Sequence, residues 1–161
     1  MLHNVKSFIG NAAVVLAMSA TLTVAQADDH DGQQRTADNA KWKSECSGCH
    51  VAYPPGMLPA ESWRAIMSGL DKHFGSDASM DAASVTEIAA FLEKNSSPKK
   101  YKALGKPLLR ITETGSFKSE HREVSASVWK NPKVKSPANC GACHTKAESG
   151  DFNEDDVKIP K

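Results

Sequence analysis

Apolar residues recur at helical spacing through the middle of the chain. Trp63, Ile66, Met67, Leu70 and Phe74 fall on one stripe of an α-helix. Pro59 suits the first turn and Gly75 a C-terminal stop, so the pattern predicts a helix from Pro59 to Phe74. A further stripe of Val85, Ile88, Ala89 and Leu92 follows Asp81, a good N-cap. Upstream, Trp42, Cys46 and Cys49 at i, i+4 and i+7 predict a first helix. Between them, Val51 to Met57 holds Pro54, Pro55 and Gly56 and reads as a constrained loop. No stretch alternates as a strand does.

Beyond the polar breaker Asn95 to Lys100 the periodicity weakens. Residues 119–130 predict a helix with His121, Val124 and Val128 on one face, ending before Asn131-Pro132. Ser136-Pro137, an N-cap followed by Pro at the first helical position, predicts a short helix that carries Cys140. The expected class is mainly α, with an N-terminal unit at 28–97 and a small, irregular C-terminal unit at 98–161. Both units are small for a self-sufficient hydrophobic core.

Residues 1–27 have the order of an export signal. Lys6 precedes the apolar run Ala12 to Met18, and Ala25-Gln26-Ala27 is a small-x-small cleavage site before Asp28-Asp29. Ser19, Thr21 and Thr23 interrupt the segment, which falls short of the ~20 apolar residues of a membrane span. A cleaved leader and a soluble periplasmic product are expected. Loss of residues 1–27 leaves 19 basic and 19 acidic side chains, a balance that argues against a nucleic-acid binder. Charge is uneven: Lys94, Lys99, Lys100, Lys102, Lys106 and Arg110 form an acid-free stretch, and the C-terminal segment is acidic.

The candidate chemistry lies in two pentapeptides, Cys46-Ser47-Gly48-Cys49-His50 and Cys140-Gly141-Ala142-Cys143-His144, which use all four cysteines. Each is the attachment sequence of a c-type haem. Two thiols three residues apart share one helical face and can form thioethers to one porphyrin, while the adjacent imidazole swings beneath the iron. Export also permits two disulfides of a redox protein, and four thiolates would hold zinc. Neither use explains a histidine directly after both pairs. A buried porphyrin in each unit would supply the apolar surface that the short chain lacks.

His50 and His144 are the proximal ligands, which leaves one axial position on each iron. Of the remaining histidines in the exported chain, His73 lies on the apolar side of its predicted helix and His121 heads the apolar face of its own. Each unit thus offers one imidazole, although ordinary hydrogen bonding would also account for both. His30 sits in a solvated acidic tail. Methionine is the rival ligand: Met67 reads as core packing, Met57 follows His50 too closely, and Met80 competes with His73. The second unit has no methionine.

The run Cys46 to Ala60, with Ser62-Trp63-Arg64 and His73-Phe74-Gly75, resembles the bacterial periplasmic dihaem cytochrome c family. Ile111 to Thr114, Glu120-His121 and Ser136 to Cys140 extend the likeness over nearly the whole exported chain. The resemblance implies a first domain similar to class I cytochromes c, a less regular second domain, and bis-histidine haems of low potential. Carried over by position, His73 would complete the haem of Cys46 and Cys49, and His121 that of Cys140 and Cys143. Exchanged ligation between the units stays open. Implied partners are a small oxygen-binding monohaem cytochrome c and a transmembrane b-type cytochrome that supplies electrons.

A dihaem electron carrier is the leading function. A haem enzyme or gas-binding protein with one open iron, or an assembly subunit with structural haems, is the alternative.

Overall fold

The computed structural model describes residues 37–103 and 105–161; the expected leader and His30 lie outside them. The described residues belong to one compact unit and are mainly helical. Helix α1 spans Ala40–Cys46, α2 Ala60–Met67 and α3 Ala82–Lys94. A hairpin of two-residue strands follows, β1 Lys102–Ala103 and β2 Lys106–Pro107, paired antiparallel with Lys102 opposite Pro107. The short helices α4, Gly115–Glu120, and α5, Ala126–Trp129, complete the regular elements with several 3-10 turns.

The three longer helices enclose the core. Trp42, Leu58, Trp63, Met67, Ile88 and Leu92 are buried together, with Val85, Ala89, Phe91 and Met80 packed against them. Each fully buried large side chain contributes about 1.5–3 kcal/mol, so this cluster is the chief source of cohesion. Polar contacts fix how the helices sit. Trp63 Nε1 donates to the Pro55 carbonyl at 2.7 Å inside the protein, tying α2 to the loop that follows His50. Arg64 pairs with Glu93 at 2.6 Å and joins α2 to α3. The Ser97 amide donates to the Leu58 carbonyl at 2.9 Å, returning the chain to the start of α2.

Asp81 caps α3 as the sequence predicts, its Oδ1 accepting from the amides of Ala83 and Ser84 at 3.0 Å each. Other boundaries differ. Helix α1 stops at Cys46 rather than running through Cys49, because the Ser47 hydroxyl donates back to the Lys43 carbonyl at 2.6 Å and Gly48 follows. Helix α2 stops at Met67, not Phe74. Ser68 donates to the Ala65 carbonyl at 3.0 Å, Gly69 breaks the run, and a 3-10 turn at Leu70–Lys72 leads into His73. The hairpin was not expected, since two-residue strands leave no alternation to read; Gly105, at φ +77°, supplies its turn.

The expected helix at 119–130 is replaced by α4 and α5, with His121 at the C-cap of α4 and not at the head of a helical face. Thr114 starts α4 early, accepting from the Phe117 amide at 3.1 Å, and Ser125 is extended. No helix starts at Ser136-Pro137 either. Ser136 accepts from the Ala138 amide two residues on, and only a 3-10 turn forms, at Cys140–Ala142. The C-terminal segment then laces this region: the Lys158 amide donates to the Cys143 carbonyl at 2.9 Å, and Lys146 pairs with Asp156 at 2.7 Å.

Candidate functional site

The first site forms where the end of α1 meets the turn after α2. Cys49 and His50 lie just beyond α1, and His50 Nδ1 is 2.7 Å from the Val51 carbonyl. A carbonyl only accepts, so Nδ1 carries the proton and Nε2 presents its lone pair. His73 faces it, with ring centres 6.2 Å apart and planes at 25°. Phe74 is held at φ +50°, followed by Gly75 at φ +99°, and the Ser76 amide donates to the His73 carbonyl at 3.0 Å. This tight turn sets the Phe74 ring edge-on against His73 at 4.9 Å, with the Arg110 guanidinium 4.2 Å from the Phe74 ring centre. Met80, the rival of His73, packs against the apolar cluster.

The second site joins the end of α4 to the Cys140–Ala142 turn. His121 Nδ1 is 2.9 Å from the Phe117 carbonyl, which again leaves Nε2 as the free lone pair. His121 and His144 have ring centres 6.1 Å apart and planes at 65°. Phe117 stacks on His121 at 4.0 Å and 18°, Trp129 lies 5.9 Å away, and Phe152 lies 5.4 Å from His144. Phe117 and His121 are four residues apart, a pairing the sequence would have revealed had the start at Thr114 been recognised.

A metal–imidazole bond is about 2.0 Å long and the ring centre lies roughly 1.1 Å beyond the nitrogen, so two imidazoles trans across one metal have centres about 6.2 Å apart. Both histidine pairs have that spacing. The structure brings His50 to His73 and His144 to His121, each pair within its own half of the chain.

Electrostatics and burial fit the same use. Burial lowers the His73 pKa, with His50 and then Arg110 adding to the effect, and burial followed by His121 lowers that of His144. Both favour the neutral imidazole that ligation requires. His144 Nδ1 is buried without a hydrogen-bond partner, unlike Nδ1 of His50 and of His121.

None of the four cysteines is paired in a disulfide. Burial, assisted by Glu45, pushes Cys46 up to about 11, and burial also raises Cys140 and Cys143, which keeps these thiols protonated. Among the described residues no three acidic, cysteine or histidine side chains converge as a metal-ion site. The residues present suit porphyrins bound by thioethers and by facing imidazoles.

Sequence reasoning missed the aromatic walls, Tyr53 above all. Its ring stacks on His50 at 4.6 Å and 19°, and its hydroxyl donates to the Ala138 carbonyl at 2.7 Å. Burial, and secondarily Cys140, raises its phenol to about 12. Nothing in the local spacing marks a bond that spans 85 residues.

A family model described as dihaem cytochrome c matches residues 42–152. Solved structures agree. The chain is 40% identical to the diheme cytochrome type c of Shewanella baltica OS155, with 76% of this chain and 93% of that one covered and a TM-score of 0.66. It is 40% identical to a diheme cytochrome c from Rhodobacter sphaeroides, covering 73% and 98%, with a TM-score of 0.65. A second structure, of DHC purified from Rhodobacter sphaeroides, gives 44% identity, 73% and 99% coverage and a TM-score of 0.63. No curated protein matches the chain. The chain belongs to the dihaem cytochrome c family and binds two haem c groups covalently.

Proposed function

We propose that this electron carrier works in the periplasm through two six-coordinate haems. His50 and His73 close the iron of the haem held by Cys46 and Cys49; His144 and His121 close that of Cys140 and Cys143. The observation that carries this reading is the recurrence of one spacing, 6.2 and 6.1 Å between ring centres, at two sites of different local structure. A bound haem supplies reversible one-electron chemistry at its iron. The chain's residues do the rest. The Val51 and Phe117 carbonyls fix the tautomer and aim of His50 and His121. Tyr53, Phe74, Phe117, Trp129 and Phe152 pack against the imidazoles and hold their rings in place. With both axial positions filled, neither iron has room for a substrate, which favours a carrier over an enzyme.

Export rests on the leader pattern at 1–27. The redox partners, following the family resemblance, are a small oxygen-binding monohaem cytochrome c and a transmembrane b-type cytochrome. Among the described residues no helix is long and apolar enough to cross a membrane. The test is to replace His73 or His121 with alanine and add carbon monoxide to the reduced protein. Each variant should bind about one molecule per chain. A His121→Ala protein that stays closed to carbon monoxide would reject His121 as a ligand, and the same holds for His73.

A further inference from the structure

We propose that Tyr53 couples the two haem sites, positioning the proximal imidazole of one against the attachment segment of the other. Tyr53 lies three residues after His50, in the loop stiffened by Pro54 and Pro55. Its ring stacks on His50 at 4.6 Å, and its hydroxyl donates at 2.7 Å to the carbonyl of Ala138, two residues before Cys140. The same two segments also approach at a second point: a Cβ placed on Gly141 would lie 3.9 Å from Val51 Cγ1. The other aromatic neighbours of the four histidines serve one site each. Phe74 touches His73, Phe117 and Trp129 touch His121, and Phe152 touches His144.

The result is a continuous route of one ring stack, one side chain, one hydrogen bond and two residues of backbone between His50 and Cys140. With haems bound, one electron would pass between the two irons, the ferrous one being oxidised and the ferric one reduced, and this route would lie between them. Tyr53 keeps its proton and is neither oxidised nor reduced. Its part is to hold the route closed and the His50 ring in place. This inference rests on His50 being an axial ligand.

The test uses the full holoprotein with Tyr53→Phe, which keeps the stack and loses the hydrogen bond, and Tyr53→Leu, which loses both. Tyr101→Phe, which removes the bond to Ser116 Oγ, is the control. Intramolecular electron exchange is followed after photoreduction of one haem, together with both midpoint potentials and the low-spin spectrum. Tyr53→Phe should slow exchange severalfold with low-spin spectra retained, and Tyr53→Leu should slow it further and shift the potential of the first haem alone. Exchange in Tyr53→Phe as fast as in Tyr101→Phe, with spectra intact, overturns the coupling role. Carbon monoxide binding to the first haem of the unaltered protein overturns the axial assignment instead, and with it the His50 end of the route.

Discussion

The two histidine pairs differ in one respect that a spectrum can read. Each imidazole standing upright on a porphyrin splits the two iron d orbitals of π symmetry according to the direction of its plane. Two rings add fully when parallel and cancel when perpendicular, so the surviving fraction is the cosine of the angle between them. At 25° the His50–His73 pair keeps about 0.9 of the maximum, and at 65° the His121–His144 pair keeps about 0.4. The oxidised protein should therefore give two low-spin electron paramagnetic resonance signals of different class. The first site should show three resolved features, and the second a single feature at high g. Phe117 stacks on His121 at 4.0 Å and 18° and holds the angle at the second site. Phe117→Leu should move the high-g feature and leave the resolved signal unchanged. Two signals of the same class, or a Phe117→Leu change confined to the first site, would refute this geometry.

Three further outcomes concern the scaffold. Leu92→Ala opens a cavity in the buried cluster and should lower stability by about 2–5 kcal/mol, read from the urea midpoint of the oxidised holoprotein. Thr114→Ala removes the N-cap of α4 and should cost about 1 kcal/mol, with added disorder at His121 visible as broadened imidazole resonances. Asp81 is held below the usual carboxylate range chiefly by the Ser84 hydroxyl, then by backbone amides. Because its folded pKa is depressed, its contribution is present above the ordinary carboxylate value and is lost as pH falls through the folded one. Asp81→Asn should flatten that acid limb of the urea midpoint against pH.

The two Cys-x-x-Cys-His pentapeptides, the candidate histidines His73 and His121 and the cap at Asp81 were legible because each depends on local spacing. The stripe Val85, Ile88, Ala89 and Leu92 names residues of α3 that the structure buries or half-buries, all four of them. What stayed hidden is non-local or depends on competition between side chain and backbone. The hydroxyls of Ser47 and Ser68 end helices whose apolar stripes continue past them. Thr114 starts α4 where no periodic run announces a helix, so His121 falls at its end. Tyr53 meets Ala138 through tertiary structure alone, and the pairing of His73 with His50 rather than His144 is a matter of chain path.

Carbon monoxide added to the fully reduced, unaltered protein tests most directly whether two histidines close each iron. With two haems per chain confirmed by the pyridine haemochrome spectrum, the account predicts no carbon monoxide adduct at either iron. An adduct on one haem per chain would contradict it and place an open iron in the protein.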